Sequence, residues 1–273
     1  MHDKSIAVII LSKDNSTMLG VCLSALKSLK DESVNVYVAD TGSQESTKVY
    51  LKNLQEKQYV NDIVMYENYH FAKVNNDMVK YHINHESIVI FMNDDVIVNA
   101  SSIHESRILR DQISAAGNNV GTIGIRLHYP SGTCQHSGIC VHQKGDVFHA
   151  YHIGKDVWKP ITSNLFPVFG STGAFLMVGR ETFLEIGGFD ESFDECFEDV
   201  LLNMRYIENK FVNGFCGKAY AIHHESSTRK KDPRMMEKVL KDYPKILSKY
   251  QEIIPRIESS IRIAKHDNER LYY

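Results

Sequence analysis

The chain lacks both long apolar runs and a targeting leader. Its longest apolar stretches, such as Ile6 to Leu11, are far shorter than the roughly 20 residues that span a bilayer. No leader of basic, apolar and small residues follows Met1. We therefore expect a cytoplasmic protein without a transmembrane segment, free in solution or peripheral to a membrane.

Cysteine is sparse, and its spacing fits no cysteine-based framework. The five residues are odd in number and contain no C-x-x-C pair; they are Cys22, Cys134, Cys140, Cys196 and Cys216. Both a disulfide framework and a zinc site are thereby disfavoured. We expect unbridged and mostly buried thiols.

Internal repeats and low-complexity segments are also absent, and the composition is ordinary for a globular protein. Of the 273 residues 43% are hydrophobic and 24% are charged, which argues against disorder. The net charge of −3 is uneven, because residues 229–273 carry 12 Lys/Arg against 7 Asp/Glu. This basic tail can attract an anionic partner, or it can be the solvated face of a helix.

Strand and helix patterns alternate through the first 118 residues. Alternation of this kind predicts an α/β fold with a mostly parallel, doubly wound sheet flanked by helices. The predicted strands are Ser5–Leu11, Val34–Ala39, Asp62–Tyr66 and Ser87–Met92. Predicted helices follow Asn15, follow Ser43, and cover about residues 71–83 and Asn99–Ala116.

Beyond residue 118 the pattern becomes more irregular. Turn residues dominate positions 129–170, where we expect short strands and loops. Strands are predicted at Gly121–His128, Ser171–Val178 and Ala219–Ile222, and helices at Arg180–Ile186 and Glu195–Asn209. In the tail, residues 233–271 carry an apolar stripe of Met236, Leu240, Tyr243, Leu247 and Tyr250. Because Pro244 and Pro255 are suited to first helical positions, the tail is predicted as three short helices.

An acidic pair ends the fourth predicted strand. Asp94 and Asp95 follow the apolar run Ser87 to Met92 and Asn93. Adjacent charges are too costly for a strand core, so they are expected where the strand emerges into a crevice. Oxygen ligands of this kind suit Mg²⁺ or Mn²⁺ bridging a diphosphate, although the pair can also cap the following helix.

Several motifs in order carry a family resemblance. They are Ile6 to Asn15, Asp40-Thr41-Gly42-Ser43, Asn93-Asp94-Asp95 and Phe197-Glu198-Asp199. With them the chain resembles family 2 glycosyltransferases of the GT-A fold over about residues 5–230. Tyr129 to Gly138 resembles the Y-P-D-G-x-x-Q-H-A-G segment of bacterial rhamnosyl- and hexosyltransferases of surface glycan synthesis.

The resemblance implies a catalytic GT-A domain over residues 1–230. Residues 1–118 would form its nucleotide-binding half and 119–230 its acceptor-binding half. Residues 231–273 would be a small C-terminal helical appendage.

The resemblance places the donor nucleotide at Ser12 and Asp14 of the first strand end and at Asp40 of the second. A carboxylate there can accept the N3–H of uracil or thymine, although Asp40 can instead be a helix N-cap. Asn68 to Asn76 matches the family's N-x-x-F-(A/S)-K-x-N-N segment. Its Lys73 is expected either to face the donor diphosphate or to lie exposed on a first helical turn.

The family's metal motif is Asp-x-Asp, and here Asn93 takes its first position. Asp95 is therefore the first choice for direct coordination of Mn²⁺ or Mg²⁺, with Asp94 as the ribose contact or a second metal contact. Asn93 would hydrogen-bond the ribose or a metal-bound water. His223 to Arg229 resembles the family's H-H-E-S-x-S-R segment. It implies His223 as a further metal ligand and Arg229 as a clamp on the diphosphate; a structural histidine is the alternative.

Catalysis is assigned by resemblance to the acidic pair after the Gly187-Gly188-Phe189-Asp190-Glu191 turn. Asp199 is the expected base, and Glu198 would hold its geometry or bind another acceptor hydroxyl. The family often has an acid two positions after this Asp, where Leu201 stands. Solvated carboxylates in the first turn of a helix are the alternative interpretation.

Acceptor contacts are expected from two segments. Gln135 and His136 of the Y-P-D-G-like segment would line the sugar pocket, and Trp158 would stack on a sugar or pack in the core. Gly170 to Ala174 resembles the G-x-T-G-A strand, whose Thr172 and Gly173 let an acceptor approach the backbone.

The function implied by the resemblance is inverting transfer of a sugar from a UDP- or dTDP-linked donor. The acceptor would be a hydroxyl of a glycan, glycolipid or glycoprotein, and no nucleic-acid partner is expected. The alternatives are a nucleotidyltransferase-like enzyme and a catalytically silent sugar- or nucleotide-binding module. The tail would bind an acceptor, a partner domain, a membrane surface or a second copy of the chain, or pack back on the catalytic domain.

Overall fold

The computed structural model describes residues 5–157, 160–194, 196–225 and 235–269 of the chain, with side chains described as far as residue 257. Its centre is a ten-stranded sheet that runs through both halves of the sequence. The strand order is β10-β12-β6-β11-β4-β1-β2-β3, with β5 beside β12 and β7 beside β6.

The first half supplies a parallel block of four strands. Consecutive strands β1, β2 and β3 are parallel, and β4 lies parallel to β1 on its other side. These elements are β1 (Ile6–Ser12), α1 (Ser16–Ser28), β2 (Val34–Thr41), α2 (Glu45–Glu56), β3 (Asp62–Tyr66), α3 (Phe71–Asp77) with a π-helical turn (Met78–His82), and β4 (Ile88–Asn93).

The second half extends the sheet with mixed pairing. Strand β11 is antiparallel to β4 and β6, whereas β12 runs parallel to β6. A separate hairpin is formed by β8 and β9. The elements are β5 (Val96–Val98), α4 (Ala100–Ala115), β6 (Asn119–His128), β7 (Cys134–His136), β8 (Ile139–Lys144), β9 (Val147–His152), β10 (Asn164–Val168), β11 (Phe175–Gly179), α5 (Arg180–Glu185), α6 (Glu198–Glu208), β12 (Phe211–His223) and α7 (Met235–Glu269).

Both faces of the sheet are buried, as continuous apolar strands require. Val8 and Ile10 point into a cluster with α1, α2 and α4, while Ala7 and Ile9 point into a cluster with α3, α5 and α6. Charged side chains have no place within either layer, so they collect where the strands end.

Residues 235–269 of the tail form one long helix, and the prediction of three short helices is wrong. Pro244 and Pro255 lie inside α7, although each lacks the N–H that the helix would use. Packing outweighs this loss, because Ile246, Tyr250 and Ile253 are buried against α6 and the β8–β9 hairpin. The tail therefore packs back on the rest of the chain.

The predicted stripe of α7 is correct only in part. Tyr243, Leu247 and Tyr250 join the buried cluster, but Met236 and Leu240 are 68% and 65% exposed. The first turns of the helix extend beyond the surface that the later turns cover.

Three boundaries in the second half also differ from the prediction. Strand β11 begins at Phe175 rather than Ser171, because residues 171–174 form a loop that binds side chains of its surroundings. Helix α6 begins at Glu198 rather than Glu195, since Phe197 has a left-handed backbone with φ of 73°. Strand β12 begins eight residues before the predicted Ala219, at Phe211, and β5 was missed because it has only three residues.

Two expected absences concern the whole fold. No disulfide joins the five cysteines, and Cys22, Cys134 and Cys216 are buried, as predicted. Within the described ranges no helix combines the length and the apolar character needed to cross a bilayer.

The packing of α7 predicts two different responses to truncation on one helix. Ile253→Ala removes a side chain that is 4% exposed and should lower the free energy of unfolding by about 2–5 kcal/mol. Leu240→Ala removes an exposed side chain and should change it by less than about 0.5 kcal/mol. Urea denaturation followed by circular dichroism measures both; equal small effects would show that α7 is not packed in solution.

Candidate active site

The carboxyl ends of three adjacent parallel strands meet at one edge of the sheet. Ser12 at the end of β1 lies opposite Asp40 in β2, and Leu11 lies opposite Asn93 in β4. The chain therefore brings the predicted donor residues of β1, β2 and β4 to a shared crevice, the usual ligand position of an open α/β sheet.

Asp94 is fixed at the centre of this edge. Ser12 Oγ donates to its Oδ2 over 2.7 Å and Asn15 Nδ2 to its Oδ1 over 3.0 Å. Burial raises the pKa of Asp94 to about 6, against the lowering effect of these two hydrogen bonds, and the neighbouring Asp95 adds to the rise. With both oxygens engaged, Asp94 organises the strand ends.

Asp40 is fully buried but only half engaged. Ser43 N donates to its Oδ2 over 3.3 Å, in the manner of a turn or cap. Its Oδ1 has no hydrogen-bond partner among the described residues. A buried carboxylate oxygen of this kind is costly unless an N–H or O–H donor reaches it, so it fits a ligand donor such as a nucleobase N–H.

Two other predicted donor residues have local structural partners. Asp14 Oδ1 accepts from Gln44 N over 2.8 Å and from Thr47 Oγ1 over 3.1 Å, and thereby caps the start of α2. Lys73 is 57% exposed in its side chain and pairs with Asp77 one turn later on α3. The structure thus shows Asp14 as a tie between β1 and α2, and Lys73 on an exposed first helical turn.

His223 is brought to the acidic pair by the short strand β5. Val96 lies opposite His223 in the β5–β12 ladder, and His224 N donates to Asp95 O over 3.1 Å. As a result His223 Nε2 lies 3.2 Å from Asp95 Oδ1 and 3.4 Å from Asn93 Nδ2. Both Asp95 and His223 are buried.

Gln135 fixes the tautomer of His223. Its Oε1 lies 2.5 Å from His223 Nδ1, and because an amide oxygen can only accept, Nδ1 must donate. In a neutral ring Nε2 then keeps its lone pair, directed at the Asp95 carboxylate. The lone pair of His223 Nε2 and the carboxylate oxygen of Asp95 repel each other when both are buried. A shared cation, or a second proton on the ring, removes this repulsion.

This pair matches the ligand chemistry of a divalent cation. A histidine that ligates a metal usually donates its other ring N–H to an oxygen acceptor, as His223 does to Gln135. In the described part of the chain no group of three or more His, Cys, Asp and Glu side chains has metal-binding geometry. Two protein ligands suit a site whose remaining positions are filled by diphosphate oxygens and water.

Asp199 faces the crevice from the first turn of α6. Its Oδ2 accepts from Gly173 N over 2.9 Å, and its Oδ1 accepts from Val200 N over 2.8 Å. A Cβ at Gly173 would lie 3.0 Å from Phe71 Cζ, so glycine at this position lets the loop lie close to the Phe71 ring. The next residue, Ala174, accepts from Asn93 N over 3.1 Å, which connects Asp199 to the metal motif through two adjacent residues.

The other predicted catalytic acid, Glu198, is buried, with 8% of its surface exposed. A buried acid at the start of a helix is favoured by the helix dipole. It lies beside Asp199 in the chain, so the structure keeps both acids of the pair at this end of α6.

A buried amide network sets the position of Asp199. Asn203 Nδ2 donates to Ser171 O over 2.8 Å and to Asp199 O over 2.7 Å, and Thr122 Oγ1 donates to Asn203 Oδ1 over 2.5 Å. A Cβ at Gly170 would lie 2.0 Å from Asn203 Cγ, so only glycine admits this side chain. The network binds α6, β6 and the 170–174 loop into one unit.

Asn213 extends the network from β12. Its Oδ1 accepts from Thr122 N over 2.9 Å, and its Nδ2 donates to Phe169 O over 2.7 Å and Asn203 O over 3.1 Å. Asn203 and Asn213 are both fully buried and well bonded. Sequence reasoning missed them, since isolated asparagines in apolar segments were the only signal.

The predicted acceptor residues divide into buried and accessible ones. His136 is fully buried, and its Nε2 accepts from Gly138 N over 3.2 Å and from Thr172 N over 3.5 Å. Burial lowers the pKa of His136 well below its ordinary value. Thr172 is partly exposed whereas Gly173 is buried, so His136 supports a loop that presents Thr172.

His152 is a site residue that the sequence did not reveal. Its ring centroid lies 4.7 Å from that of His136, in an edge-to-face arrangement. Burial lowers its pKa, while the nearby negative charge of Asp199 acts in the opposite direction. The open end of the β8–β9 hairpin, where β9 ends at His152, therefore lies near Asp199.

The turn before α6 is held by Asn76. Asn76 Oδ1 accepts from Phe189 N over 2.9 Å, and its Nδ2 donates to Phe189 O and Glu191 Oε1, each over 2.9 Å. Phe189 is 1% exposed and packs against Phe91. The last Asn of the N-x-x-F-A-K-x-N-N segment thus holds this turn.

Two predicted site residues, Trp158 and Arg229, lie outside the described residues. Their assignments to an acceptor platform and a diphosphate clamp stay predictions.

Comparison with protein families and curated proteins gives partial matches. No family model matches the chain. The O-antigen biosynthesis protein RfbC of Myxococcus xanthus is 29% identical over 156 residues, which are 53% of this chain and 11% of that protein. The uncharacterized protein y4gI of Sinorhizobium fredii is 31% identical over 150 residues, 52% of this chain and 16% of that protein. The chain thus spans a small part of the length of either relative.

Solved structures match over most of the chain. A mannosyltransferase, PcManGT, of Pyrobaculum calidifontis in complex with GDP-Man and Mn²⁺ has a TM-score of 0.60 at 12% identity, over 92% of this chain and 68% of that one. GalNAc-T7 with UDP, GalNAc and Mn²⁺ has a TM-score of 0.61 at 12% identity, over 86% and 47%. S. aureus TarS 1–349 in complex with UDP-GlcNAc has a TM-score of 0.57 at 14% identity, over 90% and 72%.

The likenesses confirm the predicted fold. The chain has the GT-A fold of glycosyltransferases, with a curled central sheet between helices. Similarity to an O-antigen biosynthesis protein agrees with the resemblance to enzymes of surface glycan synthesis.

The amide network predicts a stability effect at one asparagine of α6. Asn203→Ala leaves Thr122 Oγ1 and Ser171 O without their buried side-chain partner, and should lower the free energy of unfolding by about 3 kcal/mol. The control Asn209→Ala lies exposed at the end of the same helix and should cost less than about 0.5 kcal/mol. Chemical denaturation compares the two; similar losses would contradict the role given to the network.

Proposed function

We propose that the chain is a metal-dependent inverting glycosyltransferase that uses a nucleoside-diphosphate sugar. One observation carries the proposal. A partly engaged buried carboxylate, a paired Asp95 and His223, and a backbone-held Asp199 lie along one crevice at the carboxyl edge of the sheet. Each has the chemistry that one part of such a donor and its reaction needs.

The donor nucleotide is assigned to the strand ends. Asp40 Oδ1 is the acceptor for a nucleobase N–H, which suits uracil or thymine and favours UDP- or dTDP-linked sugars. Ser12 and Asn15 hold Asp94 beside it, near the ribose. The solved complexes with GDP-Man and with UDP-GlcNAc support a nucleotide-sugar ligand for a chain of this fold.

A divalent cation, Mn²⁺ or Mg²⁺, is assigned to Asp95 and His223. When bound, it supplies positive charge to the diphosphate that leaves. Gln135 keeps the lone pair of His223 directed at the site, and Asn93 contributes an amide where the related motif has a carboxylate. With one acid fewer, the protein ligands carry less negative charge, so the diphosphate itself must complete the cation's shell.

The base is assigned to Asp199. Its carboxylate accepts the proton of the acceptor hydroxyl as that oxygen attacks the anomeric carbon, and the bond to the diphosphate oxygen breaks on the opposite face. The configuration at the anomeric carbon inverts in this single displacement. Hydrogen bonds from Gly173 N and Val200 N stabilise the charged carboxylate and fix its direction, while Glu198 lies ready to bind another acceptor hydroxyl.

The acceptor is assigned to the side of Thr172 and the β8–β9 hairpin. We propose a hydroxyl of a bacterial glycan, glycolipid or glycoprotein, and transfer of a hexose or deoxyhexose. Gln135 and His136 act from beneath this surface, since both are buried. Because the related proteins are far longer, a partner domain can supply part of the acceptor site.

A nucleotidyltransferase-like function is less well supported. Such enzymes carry a Gly-rich basic loop after the first strand, whereas Leu11 to Asn15 contains no glycine. Asn93, which takes the place of the first acid of the family's metal motif, would favour a catalytically silent module. The two backbone N–H groups that hold Asp199 favour an enzyme instead.

The first test is turnover of a panel of UDP-, dTDP- and GDP-sugars with Mn²⁺. Asp199→Asn should lower turnover at least about 100-fold, because the amide cannot take the acceptor proton. Binding of UDP, measured by calorimetry, should stay unchanged. NMR of the product's anomeric proton reports whether the configuration has inverted.

A matched control is Glu32→Gln, an exposed acid between α1 and β2 at the opposite edge of the sheet. It should retain full turnover. Absence of metal-dependent turnover with every donor would sink the glycosyltransferase proposal, and retention of configuration would overturn the assigned mechanism.

Metal affinity gives a second test. Gln135→Leu should weaken Mn²⁺ binding in the presence of UDP by about 10- to 100-fold, because His223 loses the acceptor that orients it. Asp95→Asn should weaken it further by removing a charged ligand. Water-proton relaxation follows the Mn²⁺ titration directly; wild-type affinity in both variants would remove the cation from this place.

A further inference from the structure

Helix α7 contacts the segment that directly precedes Glu198 and Asp199. Lys241 forms an ion pair with Asp194, and the ammonium of Lys245 donates to the carbonyl of Ser192. The Lys245 ammonium also lies 5.8 Å from the centre of the Phe193 ring. Side chains from two turns of one helix thus hold a short segment just before α6.

Asp242 lies at the centre of these contacts and is fully buried. Asp194 N donates to its Oδ1 over 3.2 Å and its Oδ2 over 3.0 Å, and Cys196 N donates to its Oδ2 over 3.3 Å. Lys245 completes the arrangement with an ion pair of 2.8 Å. A buried carboxylate is tolerated only with such partners, so its position and that of the segment fix each other.

The segment enters α6 through a strained residue. Phe197 has φ of 73°, a conformation that is unfavourable for a bulky side chain. It is followed directly by Glu198 and Asp199. Strain of this kind persists only where the surroundings impose it. Here the surroundings include the backbone bond from Cys196 N to Asp242 and the packing of the Phe197 ring against Phe148.

We propose that Asp242 is a positioning residue for Asp199, and that α7 is part of the catalytic unit. The inference rests on the proposed function. Asp199 is held from one side by Gly173 N and from the other by the α6 entry that Asp242 fixes. Release of the entry lets the first turn of α6 rotate or fray, which moves the carboxylate away from an acceptor hydroxyl.

The nucleotide crevice has different supports. Asp40 and Asp94 are held by β1, β2 and the start of α1, whereas α7 packs on α6, β10 and the β8–β9 hairpin. Loss of Asp242 should therefore affect the chemical step and leave the donor bound as before. A purely structural residue would instead lower stability without this division.

The experiment compares variants of the full chain. Asp242→Ala should lower kcat by about 10- to 100-fold with an unchanged donor KM, because a small displacement of a catalytic group is costly. Asp242→Asn keeps one oxygen acceptor of the same shape and should recover part of the loss. The matched control is Arg256→Ala, which breaks a 2.6 Å tie between α7 and Glu208 at the other end of α6 and should leave kcat unchanged.

Hydrogen–deuterium exchange provides a readout that does not depend on turnover. Asp242→Ala should speed exchange in a peptide covering residues 193–203 and leave residues 5–15 of β1 unaffected. Faster exchange there together with the selective fall in kcat supports the proposal. Equal exchange, or a loss of kcat matched by Arg256→Ala, overturns it.

The two proposals fail in different ways. If the wild-type chain turns over none of the nucleotide sugars, the proposed function fails and exchange alone decides whether α7 fixes the α6 entry. If Asp242→Ala unfolds, the same measurements on Asp242→Asn and on Lys245→Met, which removes the ammonium and its contacts with Asp242, Ser192 and Phe193, decide the question.

Discussion

The hydrogen bond from Gly173 N to Asp199 joins the two parts of the candidate site. One residue later, Ala174 binds the end of β4, where the metal motif begins. Asp199 and Asn93, the residue before the Asp94–Asp95 pair, are thus held by neighbouring peptide groups of one loop. The Asn203 network and the contacts of α7 both fix the position of this loop relative to the first turn of α6.

Burial of charged carboxylates raises the free energy of the folded state, and their hydrogen bonds and ion pairs must offset this increase. The apolar layers on both faces of the sheet exclude carboxylates, yet Asp40 and Asp95 at the edge of the sheet and Asp242 on α7 are still buried. Each is held by different partners: a backbone N–H for Asp40, a histidine for Asp95, and backbone N–H groups with a lysine for Asp242. Asp40 Oδ1 has no hydrogen-bond partner in the described chain. A ligand that donates a hydrogen bond to this oxygen would offset the free-energy cost of burying it.

Much of the fold and part of the site could be predicted from the sequence. The strands of the first half are continuous apolar runs, so their existence and their charged ends were both readable; β3 and the Asp94–Asp95 edge are examples. The roles of Gln135, Asn203 and Asp242 were not readable. Each acts through partners more than 30 residues away, such as His223, Thr122 and Asp194, and no local pattern encodes such contacts.

The C-terminal tail also shows that a local sequence pattern cannot predict a structure that packing determines. Proline at positions 244 and 255 is a local signal for a break, and it was outweighed by burial of Ile246 and Tyr250. A local rule gives a preference of a few kcal/mol at most, which a long buried face can exceed.

The position of α7 at the end of the described chain has a consequence for biosynthesis. Because a chain emerges from the ribosome with its N-terminus first, β1 to β4 can pair long before α7 exists. Until α7 arrives, the apolar faces of α6 and of the β8–β9 hairpin remain uncovered, Phe148 among them. The contacts of α7 with the entry to α6 therefore form after β1 to β4 can have paired, so the nascent chain would have the crevice at the strand ends before Asp199 is fixed.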